Sequence, residues 1–391
     1  MKKLIAICLL LALLLTGCAG PISPAPTADT TDPGQATRPS QTTQPTDMGG
    51  KPVDAPEMTV HFIDVGQADC ALLESQGEYI LIDGGNVADG DLVVSYLERQ
   101  GVTQLEAVIA THAHEDHVGG LGQVLATYET ASVYAPTRTY ASNCFDKFMY
   151  YADQQGLEVI IPEPGDVIEF GNATATVLGP VKSYADPNNT SIVLMVDYCY
   201  TRFLFTGDME TEAENDMLDY WGDSFDWSAD FLKVGHHGSD TSTGYRFLNA
   251  VMPQFGIISV GEGNSYGHPC EAPLSKLRDA DVTVYRTDKL GTILAVSNGS
   301  AVTVSWEDAS GTPVQPDPTQ PTQPTQPEPT EPTEPTGSAD PQEQTYIGNI
   351  NSKKLHLPTC SSLPEEENRV YFTSYEEAIA AGYEPCKLCM K

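Results

Sequence analysis

The segment Thr111-His112-Ala113-His114-Glu115-Asp116-His117 packs four metal-ligating side chains, His112, His114, Asp116 and His117, into six residues. Imidazole and carboxylate suit Zn²⁺ or Mn²⁺, and a cluster that mixes them can divide its ligands between two adjacent ions clamping the oxygens of a displaced phosphate ester. The competing reading is a closed zinc site that only holds the fold. Structural zinc usually recruits Cys, however, and none lies nearby. Metal-assisted hydrolysis is therefore the chemistry to expect.

Such donors need a rigid support. The apolar run Leu105-Glu106-Ala107-Val108-Ile109-Ala110 reads as a buried strand, and Gly119-Gly120 as a turn into a helix, so the donors sit on a strand-to-helix loop. Upstream, residues 61–69 and 79–85 read as two opening strands with their loops. Downstream come Phe203-Leu204-Phe205-Thr206-Gly207-Asp208, Phe231-Leu232-Lys233-Val234-Gly235-His236-His237-Gly238-Ser239 and Asn264-Ser265-Tyr266-Gly267-His268-Pro269. Short β-rich runs alternate with helical stretches at residues 92–100 and 210–220. Residues 58–306 are ample for one domain with a large core.

The heptad resembles the HxHxDH signature of the metallo-β-lactamase superfamily. The order of the other motifs is similar to the extracellular metallo-hydrolase domain of DNA-internalisation competence proteins and its free-standing relatives. That resemblance implies an α/β fold, the αββα sandwich, over residues 57–307. It implies that His112 and His114 hold a first metal, that Asp116, His117 and His236 hold a second, and that Asp208 bridges them. One or two Zn²⁺ ions, or Mn²⁺, would then present a bridging water as nucleophile, with Asp116 orienting it. His237 and His268 fall around the same cleft, as candidates to donate a proton to a leaving alkoxide or to contact phosphate. Neighbouring side chains on an extended segment point to opposite faces, so only one of His236 and His237 is expected to reach the metal. Two positions depart from the family: Ala68 stands where relatives have Gly, and Asn189 where they have a third-motif His. Asn189 is read as a weakened ligand or a substrate contact, Ser239 as a substrate contact, Asp64 and Asp83 as hydrogen-bonding supports, and Gln67 as a weaker candidate for the same work.

The ends of the chain carry other signals. Lys2-Lys3, an apolar stretch too short to span a bilayer comfortably, and Leu15-Thr16-Gly17-Cys18 resemble a bacterial lipoprotein signal over residues 1–18. Lipid on Cys18 would tether the mature chain at the extracellular face of the cell membrane, with no other segment crossing it. Residues 19–56 and 308–344 are Pro/Thr-rich and read as solvated spacers. At residues 345–391, His356, Cys360, Cys386 and Cys389 form a Cys₃His set of the kind that holds one structural Zn²⁺. This segment resembles the metal-binding domain of the Ada DNA-repair protein, with His356 in place of the first family cysteine, so thiolate methyl transfer is not expected. It reads as a small α+β module stapled by zinc. Among the other cysteines, Cys70 and Cys199 are read as core residues, and a Cys144–Cys270 bridge is left open.

The net charge of −34 excludes a tight, sequence-independent DNA binder, because such affinity comes from Lys and Arg neutralising phosphates. A nuclease that meets DNA through its metals and a few lysines, or a hydrolase of smaller phosphodiesters, fits the charge. The expectation is a surface-anchored phosphodiesterase acting on extracellular DNA. The alternatives are hydrolysis of phosphorylcholine esters on wall polymers or of β-lactams, and a non-catalytic DNA- or wall-binding lipoprotein. The oligomeric state is left open.

Overall fold

A computed structural model describes residues 57–307, 313–315, 346–350, 352–358, 360, 363–364 and 368–386. The leader with Cys18, the spacers apart from residues 313–315, and Cys389 lie outside these residues.

Alternation of apolar side chains on both faces of the strands builds four layers. Leu73, Ile82 and Ile109 point into the space between two sheets, where they meet Phe203, Phe205 and Phe231. Their neighbours Leu72, Leu81 and Val108 point the other way, against helices. In the second sheet, Leu204 and Leu232 likewise turn away from the phenylalanines beside them. Strands buried on both faces must be covered on both, and each fully buried Leu or Phe contributes roughly 1.5–3 kcal/mol. The architecture is the expected αββα sandwich.

One sheet runs, edge to edge, Pro313–Val314, Val302–Glu307, Ile293–Ser297, Met58–Phe62, Ala71–Ser75, Glu78–Ile82, Gln104–Ile109 and Glu129–Tyr134. The other runs Thr283–Arg286, Phe255–Ile258, Phe231–Lys233, Thr201–Phe205, Val193–Tyr198, Ala173–Gly179 and Val167–Phe170. Helices Gly90–Arg99, Leu121–Thr127 and Asn143–Gln154 supply apolar faces to the first sheet, the last capped by Ser142, whose hydroxyl accepts from the Phe145 amide at 3.2 Å. Thr211–Trp221, Tyr245–Val251 and Glu271–Asp279 do the same for the second. Between the two opening strands of the sequence reading lies a further one, Ala71–Ser75, antiparallel to both.

One side of each sheet is parallel: Gln104–Ile109 with both its neighbours, and Phe231–Lys233 with Thr201–Phe205 and Phe255–Ile258. Loops from the carboxyl ends of these strands carry the motifs. Among the described residues no helix is long and apolar enough to cross a membrane.

Two cysteine expectations change. Cys144 and Cys270 are both free thiols, so the bridge is not formed, and the Cys144 sulfur lies 2.8 Å from the Ser142 hydroxyl. Cys70 is in the core, whereas Cys199 is exposed, because Val193–Tyr198 ends one residue earlier and Cys199 enters the turn at φ 57°.

The carboxyl-terminal module has four short strands, in the order Arg369–Phe372, Tyr346–Asn349, Lys354–His356 and Glu384–Pro385, with helix Tyr375–Ala380. Its core is Leu355, Phe372, Ala378 and Tyr383, too small to stabilise a fold unaided. Asn349 donates to the Asp279 carboxylate, so the module touches the large domain despite the intervening spacer.

Candidate metal centre

Asp208 is the point on which the donors converge. It follows strand Thr201–Phe205 through Gly207, whose φ of 51° favours glycine and whose Cβ would lie 2.9 Å from the Ser191 and Thr111 side chains. The Ser191 hydroxyl accepts from the Asp208 amide at 3.0 Å and donates to the Asn188 carbonyl at 2.7 Å, fixing the carboxylate's approach. Asp208 Oδ2 then lies 3.3 Å from His117 Nε2, 3.6 Å from His237 Nε2, 3.7 Å from His236 Nε2 and 3.9 Å from His112 Nε2.

The heptad supplies two sets. In one, His112 Nε2 and His114 Nδ1 stand 3.0 Å apart, with His112 Nε2 3.9 Å from Asp208. In the other, Asp116, His117, Asp208 and His237 offer one donor atom each, all within 4.8 Å of one another. His114 is the N-cap of the short helix Glu115–Val118, which begins in the loop and turns Asp116 and His117 toward Asp208. Gly120 lets that helix meet the loop after Glu78–Ile82, for a Cβ there would stand 2.2 Å from the Gly84 carbonyl oxygen.

The cluster differs from the expectation at one point: it contains His237 where the sequence reading put His236. The expectation assumed an extended segment. Residues Gly235–Gly238 instead form a tight turn in which His236 and His237 both have positive φ, 50° and 53°, and both rings swing toward Asp208. Such values in non-glycine residues are uncommon and cluster at functional sites. His237 is buried, with Nδ1 2.9 Å from the Ser259 carbonyl and Nε2 3.3 Å from Asp116, whereas the His236 side chain is 22% exposed and reaches Glu210 at 3.3 Å.

A second ring of groups orients the first. Asp83 Oδ2 accepts from His117 Nδ1 and from the Thr111 hydroxyl, both at 2.8 Å, and Asp83 Oδ1 accepts from the Thr111 amide at 2.8 Å. His117 therefore turns Nε2 toward Asp208. Asp69 faces His237 Nδ1 at 3.4 Å and the ammonium of Lys233 at 2.9 Å.

Charge and burial perturb His117, His237, Asp208, Asp116 and His112. Burial alone would lower the His117 and His237 imidazoles. The Asp208 carboxylate, with Asp83 at His117 and Asp69 at His237, outweighs it, lifting His117 well above its usual range and His237 to about 10. Asp208 is conversely held well below the carboxylate range by His117, His237 and His112, against the effect of burial. Asp116 falls to about 2, since the His237 and His117 rings outweigh burial. His112 is lowered well below its usual value by burial and by the neighbouring His117.

The donor set fits a divalent cation. His117 Nε2, His237 Nε2 and Asp208 Oδ1 are buried without a hydrogen-bond partner, at a cost of roughly 1–3 kcal/mol each. They belong to one cluster, and a cation there satisfies all three. In the carboxyl-terminal module, His356, Cys360 and Cys386 likewise lie within 4.8 Å of one another and His356 Nε2 is buried without a partner, while Cys389 lies outside the described residues.

His268 lies beside the centre, its ring 5.6 Å from that of His236 and stacked on the exposed Tyr266; burial and His236 lower it. Asn189 is buried, and its carboxamide oxygen accepts from the Glu210 amide at 3.0 Å, so it ties the loop together rather than facing the cleft. Ser239 is also buried, with its hydroxyl on Thr241. Asp64 accepts from the Gly66 amide within its own loop, and Gln67 accepts from the Gly261 amide of a distant loop. Sequence reasoning did not single out Asp69, Lys233, Ser191 or Thr111. The available signal for Lys233 was a cation closing an apolar strand.

Comparison with known proteins agrees with this geometry. Residues 63–262 match the family model of the metallo-beta-lactamase superfamily. The chain belongs to that superfamily. Residues 338–391 match the metal binding domain of Ada. ComE operon protein 3 of Bacillus subtilis is 30% identical over 256 residues, 61% of this chain and 33% of the relative. Recombination protein 2 of Haemophilus influenzae is 30% identical over 252 residues, 62% of this chain and 29% of the relative. The chain thus spans about a third of the length of these relatives. Hydroxyacylglutathione hydrolase of Serratia proteamaculans matches over 64 residues at 39% identity, 16% of this chain and 24% of the relative. Among solved structures, the metallo-beta-lactamase fold protein YhfI of Bacillus subtilis aligns with 62% of this chain and 99% of its own at a TM-score of 0.43 and 15% identity. The chain is thus a superfamily hydrolase whose carboxyl-terminal segment is similar to the metal binding domain of Ada.

Proposed function

We propose that this hydrolase is a phosphodiesterase that acts on nucleic acid outside the cell, held to the membrane surface by lipid on Cys18. The observation that carries the reading is the convergence of buried, unpartnered imidazole and carboxylate atoms at Asp208, with His112 and His114 in one set of donors and Asp116, His117 and His237 in an adjoining one. A mixed set of that kind suits two adjacent divalent ions, Zn²⁺ or Mn²⁺. Ions so held lower the pKa of water to about 7 and polarise phosphoryl oxygens. The name of one relative, Recombination protein 2, supports nucleic acid as the polymer.

The protein's own residues divide the work. His237, buried and oriented by the Ser259 carbonyl, serves as a ligand, and His236 takes the cleft-side role that the sequence reading gave to its neighbour. Half-exposed Asp116 orients the nucleophilic water, while His236 and His268, packed ring against ring, stand where a leaving alkoxide needs a proton. The anionic surface gives a polyanion no sequence-independent grip, so the metals and the cleft must supply affinity.

Turnover of bis-p-nitrophenyl phosphate and of single- and double-stranded DNA with added Zn²⁺ or Mn²⁺ tests the proposal, beside phosphorylcholine esters, a β-lactam and a glutathione thioester. Metal-dependent cleavage of the diesters and DNA supports it. Turnover confined to another substrate, or DNA binding without cleavage, overturns it.

A further inference from the structure

Beside the metal centre lies a buried ion pair, with Asp69 3.4 Å from His237 and 4.0 Å from His117. Lys233 ends strand Phe231–Lys233, and its ammonium donates to Asp69 Oδ2 and to the Val234 carbonyl, both at 2.9 Å. Each residue is 5% exposed. Asp69 is tied in place by its backbone, whose amide donates to the Asp116 carbonyl at 3.0 Å and whose carbonyl accepts from the Gly85 amide at 2.9 Å. Its Oδ1 has no hydrogen-bond partner, and Asp69 lines a cavity of about 10 Å³, room for one water, together with Asp83, Thr111, Lys233 and Ser259.

Four carboxylates crowd this place. The ring nitrogens of His117 lie 4.0 Å from Asp69, 2.8 Å from Asp83, 3.9 Å from Asp116 and 3.3 Å from Asp208. Asp69, Asp83 and His117 form a donor cluster of their own, with all three atoms within 4.8 Å. Lys233 already sits on that cluster. A buried ammonium is costly unless paired, and this one cannot reach a substrate.

We propose that Lys233 is a built-in cation and Asp69 its counter-ion, a pair that keeps the Asp69–Asp83–His117 cluster from competing for metal and sets the charge felt by the ions beside it. The inference rests on the metal-centre reading. Both residues are positioning residues, acting through His117 and His237. The pair matters as a pair: losing the carboxylate alone leaves an uncompensated positive charge beside the site, while losing both leaves the balance unchanged.

The test is Mn²⁺ titration of the full chain followed by electron paramagnetic resonance, with urea unfolding alongside, for wild type, Asp69→Asn, Lys233→Met and the double variant. Asp69→Asn should weaken Mn²⁺ binding by roughly 10–100-fold, the range for supports of metal ligands. Lys233→Met should bind no more weakly than wild type, and the double variant should return to within about threefold of it. A purely structural role predicts losses in both single variants and a larger loss in the double. That pattern, or no change in Asp69→Asn, overturns the proposal. Wild type that binds no metal overturns the metal-centre reading instead. If Asp69→Asn does not fold, the isosteric, charge-balanced double variant still decides: weak binding by that variant when folded refutes the proposal.

Discussion

Replacing Asp83 by Asn removes one oxygen from a carboxylate that has three donors to satisfy. Asp83 Oδ2 takes His117 Nδ1 and the Thr111 hydroxyl, and Oδ1 takes the Thr111 amide, each at 2.8 Å. An Asn amide can face this arrangement in two ways. With its oxygen toward His117, its NH₂ opposes the Thr111 amide, donor against donor. Flipped, the NH₂ faces His117 Nδ1 and favours the tautomer that carries its proton on Nε2, the atom that belongs to the metal cluster. A hydrogen bond to a charged group is worth about 1.5–3 kcal/mol, and outer supports of metal ligands are worth roughly 10–100-fold in metal affinity, or about 1.4–2.7 kcal/mol. The two figures agree. Mn²⁺ titration suits the assay, since thiolates favour zinc and leave the carboxyl-terminal cysteines silent. Asp83→Asn is expected to raise the Mn²⁺ dissociation constant by about 10–100-fold while unfolding cooperatively. An unchanged constant in a folded variant would refute the reasoning that His117 is a metal ligand aimed by Asp83.

Other perturbations have equally definite outcomes. Gly120→Ala drives a Cβ to 2.2 Å from the Gly84 carbonyl oxygen; it should cost about 1–3 kcal/mol and lower the melting temperature by several degrees, and an unaltered melting curve would be inconsistent with that packing. Glu214 is 2% exposed and, despite amide bonds from Thr243 and Gly244, burial pushes its carboxyl up to about 7. Because the folded-state value is the higher one, its contribution is complete below about pH 4.5 and is lost as pH rises through 7. The stability of wild type relative to Glu214→Gln should therefore fall by about 3 kcal/mol between pH 4 and 8 in urea titrations; a flat difference would contradict it. Removing zinc with a chelator, or Cys386→Ser, should abolish amide-exchange protection of Leu355 and Phe372, whose small core cannot hold the module alone; retained protection would argue against the zinc staple.

Much of the site was legible because its donors are close in sequence. His112, His114, Asp116 and His117 occupy one loop, and strand Gln104–Ile109 before them reads from six residues of apolar pattern. Asp208 was legible from its place after an apolar strand. What eluded the sequence depends on local backbone or on long-range contact. The His236–His237 assignment failed to anticipate a turn because neither residue is a glycine, yet both adopt positive φ between Gly235 and Gly238. Asn189 looked available to substrate until its carboxamide proved to hold the Glu210 amide, twenty-one residues away. Lys233 and Asp69 pair across 164 positions, and nothing in either local sequence names the other. Cys199 was misread because apolar composition continues one residue past the end of its strand.

The central claim is that donors converging on Asp208 hold metal that hydrolyses phosphodiesters, with His237 inside the cluster and His236 at its edge. The most direct measurement is steady-state hydrolysis of bis-p-nitrophenyl phosphate by metal-stripped chain as Zn²⁺ or Mn²⁺ is restored, for wild type, His236→Ala and His237→Ala. Activity should appear only with metal. His237→Ala should lose metal affinity by on the order of 100-fold, and His236→Ala should keep that affinity while turning over more slowly. Hydrolysis by the stripped chain, or a loss of metal affinity in His236→Ala but not in His237→Ala, would contradict it.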